Sequence, residues 1–331
     1  MLEYIIRRVL LMVVTLVAIS IMSFGIIQLP PGDFLTSYLD RLEARGEPAD
    51  EELLESLKKR YALDQPIYVQ YAKWIGGVLH GDFGQSFLYN RPVSELIWER
   101  LALTVAVSFA AMVFQWIVSL PVGIFSAVKR YSAGDYLFTF LGFIGLATPN
   151  FMLALILLWL AYSYFGVNLG GLFSFEFIDA PWSLAKLVDL LKHLWVPMII
   201  LGTSGTAGLI RIMRANLLDE LHKPYVTTAR AKGLKERRLV LKYPVRVALN
   251  PFVSTVGWTL AGLVSGSTIV SIVLSLPTTG PLLYRALLTQ DMYLAGSFIM
   301  MVSVLTVIGT LLSDILLAWI DPRIRYVERL A

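Results

Sequence analysis

Six apolar runs, each near the length needed to cross a bilayer, constrain this chain more than any other feature. They lie at about residues 9–29, 101–128, 136–163, 195–215, 247–274 and 294–319. A spanning helix needs about 20 mostly apolar residues, and only helices and closed barrels satisfy their backbone groups in hydrocarbon. The fourth run is the weakest, interrupted by Gly202, Gly205 and Gly208. Mean hydropathy is +0.67 and 16% of residues are charged, where a soluble domain carries about a quarter. The sequence therefore predicts an all-α integral membrane protein with six transmembrane helices. Cysteine is absent and the three histidines (His80, His193, His222) lie far apart. This excludes disulfides, thiol chemistry and Cys-ligated metals, and leaves no metal cluster in view.

Charge sets the orientation. With the N-terminus inside, the inner segments 1–8, 129–135, 211–246 and 320–331 hold two, two, ten and three Lys/Arg, 17 of the chain's 28. Eight of the remaining 11 fall in the long 30–100 segment, and long loops count little in this rule. Both termini are thus expected in the cytoplasm. Arg7-Arg8 precede the first run without a small-residue cleavage site after it, so it reads as a retained helix. The basic residues gather beside the spans, which points to membrane topology and not to nucleic acid. The expected divisions are 1–29 (end and first span), 30–100 (external helical segment), 101–320 (five-helix core) and 321–331 (cytoplasmic tail).

The external segment has helical signals of its own. Asp50 can cap a helix carrying Leu53, Leu54, Leu57 and Tyr61 on one side. Pro66 can start a second, with Ile67, Tyr71, Trp74, Ile75 and Val78 as its apolar stripe. Gly81-Asp82-Phe83-Gly84 reads as a turn. These features fit a lid packed on the outer span ends better than a docking surface. The 164–195 loop is rich in aromatics (Phe165, Phe173, Phe175, Phe177, Trp182, Trp195), which reads as an interfacial belt rather than a ligand cage. In the spans, Pro121, Pro149 and Pro251 favour kinks. Gly202, Gly205, Gly208, Gly262 and Gly266 allow close helix approach; packing is their commoner role, and a pathway role in spans four and five the lesser reading.

Energy supply separates the function classes. Asp314 is the one acid found inside a predicted span away from its ends, a thin basis for a self-sufficient proton-coupled carrier. No H-E-x-x-H, G-x-S-x-G or G-x-x-x-x-G-K-[ST] occurs, so protease, hydrolase and P-loop ATPase chemistry lack their signals. Uphill transport would then draw on another subunit. The 211–246 loop is the natural contact: ten Lys/Arg against Asp219, Glu220 and Glu236. Pro224 at its start and Gly233 just past its end bracket a short helix over 224–232, about 13 Å long.

Tyr225-Val226-Thr227-Thr228-Ala229-Arg230-Ala231-Lys232-Gly233-Leu234 resembles the coupling loop of permease subunits of binding-protein-dependent ABC importers, closest to the dipeptide/oligopeptide (nickel) type. The general motif is Glu-Ala-Ala, three residues, Gly. Here Thr227, Thr228 and Ala229 fill the first places, and the Thr-Ala-Arg-Ala-Lys-Gly-Leu form is characteristic of the peptide subgroup. The opening Met1 to Arg8, Leu29-Pro30-Pro31-Gly32-Asp33, Leu63-Asp64-Gln65-Pro66, Gly81 to Ser86 and the ending Asp321-Pro322-Arg323-Ile324-Arg325-Tyr326 resemble the family too. One region departs. A Glu and a Phe-Ser-Trp-Pro-Gly-like turn usually follow the fifth span, where this chain runs from Ser271 through Ser275 and Pro277 to Gly280. That neutral outer mouth suits a neutral oligosaccharide as well as a peptide.

The resemblance implies a complex of two permeases (the second a different chain), two cytoplasmic ATPases and an external solute-binding protein, in a bacterial or archaeal cell (inner) membrane. It implies no cofactor and no catalytic residue on this chain, with ATP and magnesium on the ATPases. The short helix would seat in an ATPase groove, with Tyr225, Val226 and Ala229 as its buried contact and Thr227, Thr228, Arg230 and Lys232 as polar contacts. Ser271, Ser275, Pro277 and Gly280 would sit at the outer mouth.

Overall fold

The computed structural model describes residues 2–28, 64–86, 88–289 and 291–320, with isolated positions 39, 55, 59 and 62. The helix expected after Asp50, the Leu29–Asp33 opening and the Asp321–Tyr326 ending lie outside the described residues. The chain divides into two compact units, one of residues 6–103 and 278–305, the other of 1–5, 104–277 and 306–331.

In the unit built on residues 6–103, α1 (Leu2–Ile27) runs without a break. Helix α2 (Ile67–Leu79) starts after Pro66, as its sequence predicts. Trp74 is buried with Phe24 and Ile27 of α1, and Tyr71, Ile75 and Val78 pack against the same cluster. Ile67, expected in the stripe, is exposed; it sits in the first turn, beyond the reach of that core. The Gly81–Gly84 turn forms as predicted: both glycines have positive φ, and the Gly84 N–H donates to Asp82 Oδ1 at 3.0 Å. A two-residue antiparallel ladder follows, β1 (Gln85–Ser86) on β2 (Arg91–Pro92). Helix α3 (Val93–Val128) then begins eight residues before the predicted span, because Val93, Leu96 and Ile97 add to the same core.

The other unit contains most of α3, then α4 (Ala133–Ala147), α5 (Asn150–Phe165) and the 38-residue α6 (Leu184–Leu221). The predicted third span is not one helix. α4 and α5 meet at 98°, with Thr148 and Pro149 extended between them. A residue before proline is pushed out of the helical region, and proline offers no N–H to continue the ladder. Pro121, by contrast, lies inside an unbroken α3. α4 packs closely on α6: a Cβ at Gly145 would come within 2.9 Å of Thr203 Cγ2, and one at Gly142 within 3.4 Å of Ala207. α6, about 57 Å along its path, outruns a hydrocarbon core of about 30 Å.

The basic loop follows as α7 (Pro224–Ala231) and α8 (Glu236–Lys242). The predicted fifth span is divided into α9 (Pro244–Ala248), α10 (Asn250–Ser254), α11 (Val256–Gly266) and α12 (Thr268–Val273). Leu249, Thr255 and Ser267 between them keep right-handed dihedrals, so the path stays helical. Hydroxyls loosen its ladder: Thr255 donates to Phe252 O at 2.7 Å and Ser267 to Val264 O at 3.1 Å. Helices α13 (Thr279–Leu288) and α14 (Met292–Ile320) complete the chain. Among the described residues, three helices are long and apolar enough to cross a membrane, or four if the bent α4–α5 pair counts as one span. The fourth predicted run falls in α6, whose first turns carry Lys186, Asp189 and Lys192.

The 164–195 aromatics do enclose something. Phe173 and Trp182 meet edge to face at 6.1 Å, and the Lys186 ammonium lies 4.9 and 5.4 Å from their centroids. Lys186 also donates to the carbonyls of Ile178 and Ala180. Two of the six aromatics thus cover a buried cation of the chain itself, while Phe175 is 92% exposed.

Candidate coupling site

The predicted basic helix is present, and its sequence explains both ends. Pro224 occupies the first turn, where its missing N–H costs nothing. At the other end Gly233 takes φ +76°. Its N–H donates to Arg230 O at 3.0 Å, and the Leu234 N–H reaches back to Ala229 O at 3.4 Å. This paired closure is a Schellman motif, which needs a left-handed residue after the last helical turn. Nothing lies within 4 Å of a Cβ built at Gly233, so the demand for glycine here comes from the backbone alone. Gly233→Ala is expected to cost about 1 kcal/mol, readable as a small fall in thermal midpoint of the detergent-purified protein.

The faces of α7 sort differently from the expectation. Val226 is fully buried, in a cluster with Met213 and Leu217 of α6, Leu239 and Val240 of α8, Val245 and Ala248 of α9 and Phe252 of α10. Ala229 and Leu234 pack against the same cluster. Two of the three residues assigned to a partner groove therefore seat α7 on its own chain. An apolar strip at i and i+3 serves whichever surface reaches it first, and α8 follows only five residues later. Tyr225, Thr227, Thr228, Arg230, Ala231, Lys232 and Gly233 form the exposed side.

Local ion pairs hold part of that side. Arg230 forks onto Glu236, with Nε at 3.1 Å and Nη2 at 2.6 Å from its two carboxylate oxygens. The Arg230 hydrogen bond, aided by its charge and outweighing slight burial, holds the Glu236 carboxyl below the usual carboxylate range. Tyr225 donates its hydroxyl to Glu220. Burial first, then the Glu220 hydrogen bond and charge, push this phenol above its ordinary range. Lys223, Lys232, Lys235, Arg237, Arg238 and Lys242 stand exposed around them, so the surface is strongly cationic.

Sequence reasoning missed what ties α6 to the turn before α4. Asp135, 3% exposed, receives Arg214 through Nε at 3.2 Å and Nη2 at 2.9 Å, and the Tyr131 N–H at 2.9 Å. Ser132 caps α4 by accepting the Asp135 N–H. The Ser-x-x-Asp spacing before an apolar run is a legible cap signal; the partner 79 positions away is not.

The four outer-mouth candidates fall in both units. Ser271 is buried on α12 and Ser275 is exposed just past it, at φ +54°. Ser275 N–H donates to Ile272 O at 3.1 Å and Leu276 N–H to Ser271 O at 2.8 Å, the same closure as at Gly233 but on a residue with a Cβ. Pro277 is half-buried in the same unit, whereas Gly280 is buried in α13 of the other. Asp314 is half-buried on α14.

Comparison with known proteins fits this architecture. Residues 119–326 match the family described as "Binding-protein-dependent transport system inner membrane component", and residues 1–108 match "Binding-prot-dependent transport system membrane comp, N-term". The chain is 38% identical over 327 residues to the oligopeptide transport system permease protein AppB of Bacillus subtilis, covering 98% of this chain and all of that one. It is 30% identical over 342 residues to the dipeptide transport system permease protein DppB of Escherichia coli K12, covering 98% and 99%. A solved inward-facing structure of the MetNI methionine ABC transporter shares the fold, with a TM-score of 0.54 and 18% identity over 68% of this chain and 96% of that one. With both family models matched in order along the chain, and relatives aligned nearly end to end, the chain belongs to the binding-protein-dependent transport system inner membrane components, the multi-pass permease subunits of ABC importers.

Proposed function

We propose that this chain is one of two permease subunits of an ATP-driven importer of di- and oligopeptides, crossing the cell membrane six times with both ends inside. The observation that carries the reading is the 38% identity to an oligopeptide permease along 98% of the chain. ATP and magnesium then sit on separate ATPase subunits, a reading supported by the sequence carrying no G-x-x-x-x-G-K-[ST] run. The exposed side of α7 is their contact, with Tyr225, Thr228 and Lys232 presented and Val226 holding the helix from behind. An external binding protein delivers the solute. ATP-driven closure of the ATPases rocks the helices between two discrete arrangements, which is all that alternating access requires.

The test is uptake into proteoliposomes. Labelled penta-alanine should accumulate when the second permease, both ATPases, the binding protein and ATP are all present. It should not accumulate with this chain alone under a proton gradient; accumulation there would favour a carrier working through Asp314. Cellotetraose uptake without peptide uptake would move the substrate to oligosaccharides. The Cys-free sequence supplies a topology check, since a single cysteine at Lys232 should react with an impermeant maleimide only from the ATPase side.

A further inference from the structure

Within the unit that carries α3 to α12 lies a cleft of about 320 Å³. Its polar lining is Gln115, Asn150, Ser204, Thr255 and Thr259, with no charged residue among the described ones. Gln115 is 2% exposed, and its Oε1 is buried with no hydrogen-bond partner. Its Nε2 makes only a long contact, 3.5 Å to Leu201 O. A buried carbonyl left without a donor is destabilising unless something supplies one. Asn150 Nδ2, by contrast, donates to Ser204 Oγ at 3.3 Å, and the Thr255 hydroxyl is held by Phe252 O.

The glycines of the cleft divide into two kinds. A Cβ at Gly205 would meet the Gln115 amide at 2.4 Å, so this glycine is what lets that amide lie flat on α6. At Gly208, Gly262 and Gly266 nothing lies within 4 Å. Among the described residues those three do not serve close helix approach; they leave space beside an unpartnered acceptor.

We infer that this cleft is a solute-contacting part of the transport pathway, in which the Gln115 carbonyl accepts a hydrogen bond from an uncharged donor on the moving solute. The inference rests on the importer reading above. A peptide N–H and a sugar hydroxyl share that chemistry, and a lining without charge favours neither sign of side chain on the cargo. Backbone or hydroxyl groups are then read, and width is set by the glycines.

Two variants in the reconstituted complex test it, with labelled di-alanine, penta-alanine and cellotetraose as probes. Gly208→Val fills open space and is expected to cut penta-alanine uptake about tenfold more than di-alanine uptake. Gln115→Met, similar in length but without an amide, is expected to lower uptake of the carried probe about tenfold, the scale of one net hydrogen bond. Whichever of penta-alanine or cellotetraose the unmodified complex carries identifies the donor. Unmodified transport with no size dependence in Gly208→Val and no loss in Gln115→Met overturns the cleft assignment alone. Loss of the companion permease from purified Gly208→Val also overturns it, by marking the cleft as a packing face between subunits. No uptake of any probe by the unmodified complex overturns the importer reading, and the assignment with it.

Discussion

Val226→Asp is expected to dislodge α7 and abolish ATP hydrolysis coupled to solute in the assembled complex. The side chain is fully buried among the apolar Leu217, Leu239, Val240 and Phe252. Placing an unpaired charge there costs on the order of 3–5 kcal/mol, while the cavity left by Val226→Ala costs about 2 kcal/mol. Thr228→Asp supplies the contrast. Its position, two residues on, is exposed on the opposite side of the helix, so the thermal midpoint of the purified chain should hold while ATPase co-purification falls. Measuring both quantities in both variants separates seating the helix from presenting it. Equal midpoints for Val226→Asp and the unmodified protein would mean that α7 does not rest on this core.

Asp291→Ala should be the most damaging change in the other unit. Asp291 is fully buried ahead of α14. Its carboxylate accepts from Ser86 Oγ at 2.6 Å and from the Leu88 N–H at 3.2 Å, and it caps α14 by accepting the Leu294 N–H at 3.4 Å. Ser297 adds a second tie by donating to Phe83 O at 3.1 Å. Hydrogen bonds to a charged acceptor each contribute about 1.5–3 kcal/mol, and removing the acceptor strands its donors. The expected loss is on the order of 3 kcal/mol, seen as a lower thermal midpoint and faster proteolysis between Gly81 and Arg91. Asp291→Asn, which keeps one acceptor oxygen, should lose roughly half as much. Exposed Glu99, paired with Arg91 at the surface, serves as the control, since such a pair contributes about 0–1 kcal/mol. A midpoint for Asp291→Ala matching that of Glu99→Gln would remove Asp291 as the anchor of the β1–β2 turn.

Much of this protein is determined along the chain itself. Apolar runs predicted long helices because a backbone in hydrocarbon has no other way to satisfy itself. Pro66, Pro224 and Gly233 marked helix ends through φ restriction and a missing N–H, and Gly81 and Gly84 marked a turn; these effects act within a few residues. Order of residues from Tyr225 to Leu234 identified the family. What the sequence left open depends on partners remote in the chain. It showed that Val226 and Ala229 form an apolar strip but not that α6, α8 and α9 cover it. It gave no sign that Arg214 pairs with Asp135, 79 positions away, and gave Asp291 no role because Ser86 lies 205 positions away. It read the glycines of spans four and five as one kind, whereas the fold presses Gly205 against Gln115 and leaves Gly208, Gly262 and Gly266 facing space. Local rules fix where a helix starts and stops because dihedral preferences are properties of single residues. Which face is covered, and which buried polar atom is left waiting for a partner, is decided only when distant segments meet.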